Sequence, residues 1–507
     1  MFKSTRGHPR RASFEQAILS GYAPDGGLWV PDSLPNITLD ELRQWKLKSF
    51  PEICALVLQK FIQEEISSND LNAITTSAFS TFEHHQGTPL PIIKVGNGVN
   101  DSLHLLETFH GPTLAFKDIG LQVLARLVDH FLEKRQSRAT ILMETSGDTG
   151  PAALSAAANL KNIDMYCLYP LGRVSRVQEL QCTTAEPLGS NLHVYRTEGT
   201  TDDQAATIKA IFNDKEFVAA HSCCSMNSIN VGRIATQSSY YVYTYLQVVQ
   251  SVGDLLDFAI PTGAFGNSLG GFWAKKMGLP LRHLIVATNA NDICHRAIAT
   301  GNFSPSESVA TVSPAMDIQL PYNFERFLHC LLGGNDNASK SLVPLLRIDQ
   351  HGKRRLPDEI VRMIKEEGIT SMACDDTETL NTVRKYWREH QYCLDPHGAI
   401  GVWAAEKFRR GNAASVQSVQ SVQSVVQCVA VLTAHPSKFE EATLQAIGIA
   451  PPDMPERVRV LDTLAQSFET SLKTPHQRVL GGSAVPEWIE TLKSDIARNA
   501  KATKSKL

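Results

Sequence analysis

None of the ten cysteines stands in a Cys-x-x-Cys pair, and they are scattered from Cys54 to Cys428. That spacing excludes a zinc ribbon and a disulfide framework, and it reads as reduced, intracellular thiols. Charge of one sign is lacking as well. The 49 Lys and Arg against 52 Asp and Glu leave a net charge of −3 with histidine neutral. Such a balance calls for neither nucleic acid nor a membrane surface. No apolar run approaches the ~20 residues needed to span a bilayer. A metal pair at His84-His85 is excluded on geometry, because adjacent side chains point apart on a helix or a strand. No metal site is expected.

What is present is an ordinary globular composition, 43% hydrophobic and 20% charged, over 507 residues. At roughly 100–200 residues per domain, that length suggests two or three domains. The first 88 residues carry helical patterning. Ser13 is placed to cap a helix from Phe14 through Ile18, and Pro24-Asp25-Gly26-Gly27 makes a turn before Leu28-Trp29-Val30. Helix-spaced apolar residues, Leu47 among them, run through 40–66. From about residue 89 the texture changes to strand, loop, helix. Ala139 to Met143 reads as a buried strand, Ser146 to Gly150 as a turn, and Pro151 opens a helix. The grammar recurs at Leu255 to Ile260, Gly263 to Asn267, and a helix around Phe272 to Met277. Repeats of this kind predict an α/β fold with parallel sheets, and ligands at the carboxyl ends of the strands. The Ser-Val-Gln repeat at 415–423 reads as an expanded surface connection before a core strand, Cys428 to Leu432.

Four segments carry chemistry. In His110-Gly111-Pro112-Thr113-Leu114-Ala115-Phe116-Lys117-Asp118, a lysine stands at the mouth of an apolar helix. Held in a pocket that lowers its pKa, such a lysine can form a Schiff base with a carbonyl cofactor. Gly263-Ala264-Phe265-Gly266-Asn267 follows a strand and precedes a helix. Its amides and the helix N-terminus suit a phosphate, and its glycines are not spaced as in a dinucleotide fingerprint. Thr145-Ser146-Gly147-Asp148-Thr149-Gly150 offers hydroxyls and helix-start amides to a carboxylate, or serves only as a tight turn with a capping Asp. Thr433-Ala434-His435-Pro436-Ser437-Lys438-Phe439 puts a hydroxyl at a strand end, with His435 as readable for a turn residue as for a catalyst.

Together these segments resemble the threonine synthase family, within the tryptophan-synthase-β-like class of pyridoxal phosphate (PLP) enzymes. The likeness extends to Ser4 to Gly7, Ala23 to Leu28, Asn227 to Asn230 with Arg233, Ala315 to Asp317, Asn323 to Arg326 and Asp395-Pro396-His397. It implies a fold type II architecture: a helical region at 1–88, a large PLP-binding α/β domain at 89–120 and 235–475, a smaller α/β domain at 121–234 with the carboxylate loop, and a C-terminal helix and tail at 476–507. It implies that Lys117 is the Schiff-base lysine, that Gly263, Ala264, Phe265, Gly266 and Asn267 cradle the cofactor phosphate, and that Thr433 bonds the pyridine nitrogen. Thr113, Ser146, Gly147, Asp148, Thr149, Asn230 and Arg233 are implied at the substrate. The implied reaction takes O-phospho-L-homoserine and water to L-threonine and phosphate.

One position departs from the pattern. Ala264 stands where the family commonly has Asn, which resembles the threonine-synthase-like phospho-lyases of animals. Their reaction ends in 2-oxobutanoate, ammonia and phosphate, and it stays open as the alternative. A cofactor-free relative is the third reading, disfavoured because all the chemical positions are present. The basic Lys3, Arg6, Arg10 and Arg11 suggest a mitochondrial presequence. The match at Ser4 to Gly7 argues against a cleaved one. Ser505-Lys506-Leu507 reads as a peroxisomal address for an import receptor, with cytoplasm as the alternative. A monomer or homodimer is expected.

Overall fold

The computed structural model describes residues 1–96, 103–199, 201–348, 352–416, 426–472, 478–480 and 485–504. Most of the Ser-Val-Gln repeat, from residue 417 onward, lies outside the described residues, as does Ser505-Lys506-Leu507. Ser415 and Val416, read as part of a surface connection, instead end the long helix Pro396–Val416.

Two sheets carry the architecture. The larger is six-stranded, in the order Ile369–Ala373, Leu281–Thr288, Leu256–Pro261, Gln427–Leu432, Leu103–Glu107, Ile92–Val95. All neighbours are parallel except the last pair, where Ile92–Val95 runs antiparallel to Leu103–Glu107. Leu256–Pro261 is buried at every residue, as a strand covered by helices on both faces must be. The three central strands position the site. Leu103–Glu107 leads to the Lys117 segment, Leu256–Pro261 to Gly263, and Gln427–Leu432 to Thr433. Because they are parallel neighbours, their loops emerge side by side at one carboxyl edge.

The smaller sheet is five-stranded, ordered Arg478–Leu480, Leu192–Thr197, Ile163–Pro170, Ala139–Glu144, Cys223–Cys224, all parallel. Ala139–Glu144 delivers the Thr145 to Gly150 loop. Of the segment at 476–507, set apart on sequence, the described residues Arg478–Leu480 and Val485–Lys504 join this sheet. Arg478–Leu480 pairs with Leu192–Thr197, and helix Val485–Lys504 packs on it through buried Trp488 and a Tyr195 hydroxyl donating to Asp495 at 2.7 Å. An edge strand with open N–H and C=O groups has a physical reason to recruit such a segment.

The N-terminal region shares one contiguous apolar core with both sheets. Ser13 caps helix Phe14–Ser20 in a reciprocal capping box with Gln16. The apolar pattern at 40–66 resolves into two helices, Leu39–Trp45 and Phe50–Ile62. Leu47, counted with that pattern, lies at the break between them and is 98% exposed. Buried Arg326 fastens the region to the rest: its guanidinium donates to the carbonyls of Trp29, Ser228 and Ile229 and to Asn323 Oδ1.

Candidate active site

A cleft of about 2190 Å³ opens where the carboxyl edges of the two sheets face each other. Lys117, Ser146, Asp148, Thr149, Arg233, Thr433 and every residue from Gly263 to Asn267 line it. Segments far apart in the chain thus meet in one place.

Lys117 is the first residue of helix Lys117–Lys134. The turn before it is built tightly. Leu114 takes a left-handed φ of 61°, a conformation that costs a branched residue energy and persists only where surroundings enforce it. The surroundings do so: the Phe116 amide donates to Thr433 O at 2.8 Å, and the His435 amide donates to Leu114 O at 3.0 Å. Asp118 accepts the Thr113 amide at 2.9 Å and the Thr113 hydroxyl at 2.8 Å. The lysine segment and the Thr433 segment are therefore stitched together backbone to backbone.

The Lys117 side chain is 14% exposed, and its Nζ lies 3.8 Å from Asp148 Oδ2. Burial pushes its pKa down to about 8; Asp148 opposes that, while the charges of Arg233 and Lys438 add to it. Asp148 is buried too. Burial alone would push its carboxyl up, yet the charges of Lys438 and Lys117 outweigh burial and hold it well below the usual carboxylate range. Two consequences follow for pH. The fraction of Lys117 present as free amine rises tenfold per unit up to about pH 8 and then levels. Capture of an added aldehyde, followed by absorbance, is expected to show a midpoint near pH 8; a midpoint near 10.5 would show that the pocket does not tune this lysine. For stability, the folded pKa is depressed, so the unfolded chain holds the extra proton between pH 8 and 10.5. Stability of the cofactor-free protein therefore rises across that window, recovering about 3 kcal/mol from this one group.

The Gly263 to Asn267 loop is shaped for an anion. Phe265 adopts φ 66° and begins helix Gly266–Lys276. A Cβ on Gly263 would come within 3.1 Å of Met316 Cα, so a side chain there would push against that backbone. Asn267 Oδ1 accepts the Tyr240 and Tyr241 hydroxyls. That fixes the amide so that Nδ2 is the free end, and this buried donor has no partner. Arg233 repeats the situation. It is 2% exposed, its one bond goes to Met226 O at 3.5 Å, and its Nε has no partner. Burial lowers its pKa to about 10, which still leaves it charged at neutral pH. Buried donors without acceptors are costly and uncommon. Beside a helix N-terminus, a phosphate satisfies them. A buried lysine for an aldehyde, and an orphaned Asn267 amide at a helix N-terminus for a phosphate, fit a phosphate-bearing aldehyde cofactor, and leave Arg233 for a second anion.

Three expected residues fall elsewhere. Asn230 caps helix Val231–Val248: its Oδ1 accepts the Gly232 amide, and its Nδ2 donates to Ile18 O and Ser225 O. Its amide is spent on these bonds, and it does not line the cleft. Thr113 does not line the cleft; it holds Asp118 and Lys438. Gly147 shapes its loop instead, with φ 148° and a Cβ position only 2.7 Å from the Gln178 amide. His435 resolves to a turn residue. Its Nδ1 accepts the Ser437 amide at 3.2 Å, and burial pushes its pKa down to about 4.

Four residues escaped the sequence reading. Asn227, Gln237 and Lys438 line the cleft, and buried Gln178 donates to Asp148 at 2.9 Å. Asn227 and Lys438 stand inside segments already singled out; Gln178 and Gln237 carry no local signal. His397 also lines the cleft. Its Nε2 accepts the Ala315 amide and its Nδ1 faces Asp395, which identifies a neutral ring donating from Nδ1.

Residues 1–79 match the family described as threonine synthase N terminus, 81–422 that of pyridoxal-phosphate dependent enzymes, and 398–479 that of the threonine synthase C-terminal region. The chain is 39% identical over 450 residues to threonine synthase of Pseudomonas aeruginosa, covering 88% of this chain and 91% of that one. It is 38% identical over 461 residues to threonine synthase-like 2 of Homo sapiens, covering 89% and 90%. A crystal structure of PLP-bound threonine synthase from Brucella melitensis matches with a TM-score of 0.84 and 35% identity, covering 97% of this chain and 98% of that chain.

Proposed function

Because the chain belongs to the threonine synthase family of PLP-dependent enzymes, we infer that it converts O-phospho-L-homoserine and water to L-threonine and phosphate. The observation that carries this reading is the pairing of a buried, low-pKa Lys117 with a buried Arg233 whose Nε has no partner, in one cleft. One suits an amine that reacts and moves protons; the other suits a substrate phosphate.

Bound PLP supplies an electron sink for negative charge developing on the substrate. Lys117 would hold it covalently, the Gly263 to Asn267 loop would hold its phosphate, and Thr433 would meet its ring nitrogen. The Lys117 amine, once free, takes the Cα proton of the substrate. Ser146 and Thr149, with the amides of their loop, hold the α-carboxylate. Arg233 holds the phosphate, which leaves Cγ as a second proton is taken from Cβ; the proton returns at Cγ, water adds at Cβ, and reprotonation at Cα completes L-threonine. One amine acting at several carbons needs controlled access of water, and the cleft between the two sheets is where closure would provide it.

Ala264 favours a second reading. The loop keeps its backbone here but lacks a side-chain amide beside the cofactor phosphate, and the chain is as similar to threonine synthase-like 2 as to threonine synthases. In that reading the product is 2-oxobutanoate with ammonia and phosphate. Incubating the holoenzyme with O-phosphohomoserine and assaying threonine, 2-oxobutanoate and phosphate separates the two. Threonine with stoichiometric phosphate is the expected result; absence of phosphate release would reject the substrate.

We propose further that Ser505-Lys506-Leu507 is read by a peroxisomal import receptor. Fusing residues 498–507 to a fluorescent protein tests it, with punctate signal expected and diffuse signal counting against it.

A further inference from the structure

Lys438 has no part in the chemistry just described, yet its side chain is 0% exposed. A fully buried ammonium is sustained only by close partners, and its partners are specific. It donates to Thr113 O at 2.8 Å and pairs with Asp148 Oδ1 at 2.8 Å. Thr113 belongs to the turn that sets up Lys117, and Asp148 to the loop assigned to the α-carboxylate. Lys438 itself follows the strand that ends at Thr433. One ammonium thus ties the larger sheet's catalytic edge to the smaller sheet's substrate loop.

Asp148 poses an electrostatic problem that this arrangement solves. Its carboxylate is buried in the loop meant to receive a second carboxylate. Oδ2 faces Lys117 at 3.8 Å, but that charge is withdrawn whenever Lys117 is neutral or engaged. Gln178 donates to Oδ1 at 2.9 Å without adding charge. His397 is neutral in its hydrogen-bonded tautomer, with Nε2 accepting from Ala315. Arg233 lines the same cleft, and the ion pairs of Asp148 are with Lys117 and Lys438 instead. Lys438 is therefore the cation fixed at Asp148 throughout.

We propose that Lys438 is a positioning residue. It supplies the permanent counter-charge that lets the Asp148 loop accept an α-carboxylate after Lys117 has given up its own charge. This rests on the loop's assignment to the α-carboxylate, so the test separates the two ideas. In Lys438→Met holoenzyme, affinity for L-threonine, used as an α-carboxylate probe and read from the change in cofactor absorbance, falls roughly 30-fold or more, the scale for truncating one partner of a buried charge pair. Affinity for inorganic phosphate, which lacks that carboxylate, stays within about threefold.

The second arm is a rescue. Lys438→Met combined with Asp148→Asn removes both charges while keeping an acceptor for Gln178, and it restores most of the lost threonine affinity. The third arm is spectroscopic and needs no substrate. The pH midpoint of the Lys117-linked absorbance rises in Lys438→Met, where Asp148 is left to Lys117 alone, and falls in Asp148→Asn. The groups facing Lys117 are Asp148, Lys438 and Arg233, so the two directions are opposite and diagnostic. Equal losses for threonine and phosphate, an unmoved midpoint, or additive effects in the double variant each overturn the proposal. If Lys438→Met fails to fold, a folded double variant supports the pairing, and a double variant that fails too overturns it. Wild-type enzyme that binds no amino acid would instead reject the loop's assignment.

Discussion

Lys117→Ala is expected to lower kcat by about 10⁴-fold or more, because under the proposed function it removes the carbonyl-binding amine and the proton-transfer base together. The size follows from position. Among the described residues, Lys117 is the one lysine that both lines the cleft and is left without a short ion pair: Lys438 also lines it but is held at 2.8 Å by Asp148, whereas Lys117 stands 3.8 Å away. The variant should fold. At pH 7 the cofactor-free wild type carries a buried ammonium near Lys438 and Arg233, and deleting it leaves Asp148 paired with Lys438. A thermal melt at or above the wild-type value is therefore expected below pH 8, with loss of the PLP–lysine absorbance band and of phosphate release. Residual activity within tenfold of wild type would remove Lys117 from the mechanism.

Arg233→Leu produces the second large effect, and it separates binding from stability. Charge-assisted, bidentate phosphate contacts are each worth about 1.5–3 kcal/mol, so KM for O-phosphohomoserine should rise about 10²-fold. The fold should not suffer, since the guanidinium has one long bond and an unpartnered Nε. Arg326 is the control. Also fully buried, it donates to three carbonyls and one side-chain oxygen. The same substitution there leaves those acceptors unpaired and should destabilise the protein by about 3 kcal/mol or more. If Arg233→Leu lowers the melting point as far as Arg326→Leu does, Arg233 is structural and its place at the phosphate is lost. A raised KM with an unchanged melt is the expected pattern.

These two arginines show where sequence reading stops. Both stand in segments resembling the family, and both are buried. Only the packing shows that carbonyls from the N-terminal ribbon and the segment before helix Val231–Val248 surround Arg326 and leave Arg233 bare. Asn230 and Asn227 divide the same way. The turn chemistry that makes Asn a good helix cap is local, and it claims Asn230, whereas Asn227 reaches the cleft. The lysine at the helix start and the loops after buried strands were legible because they depend on local grammar: an apolar strand, a small-residue loop, a helix. Lys438 was not, because its burial depends on Asp148 and Thr113, supplied by other parts of the chain.

By itself, then, the sequence determined the α/β alternation, the order of the chemical loops and the lysine at their centre. Each is written within a few consecutive residues through strand periodicity, loop size and helix-start chemistry. The tertiary structure decided which loops face one another and which charges meet. Parallel neighbours Leu103–Glu107, Gln427–Leu432 and Leu256–Pro261 place three loops on one edge, and the smaller sheet presents Asp148 across from them. Burial then strips water from Lys117, Asp148, Arg233 and Lys438. Their protonation and pairing become properties of the assembled cleft, because in the separate segments water would screen every one of those charges.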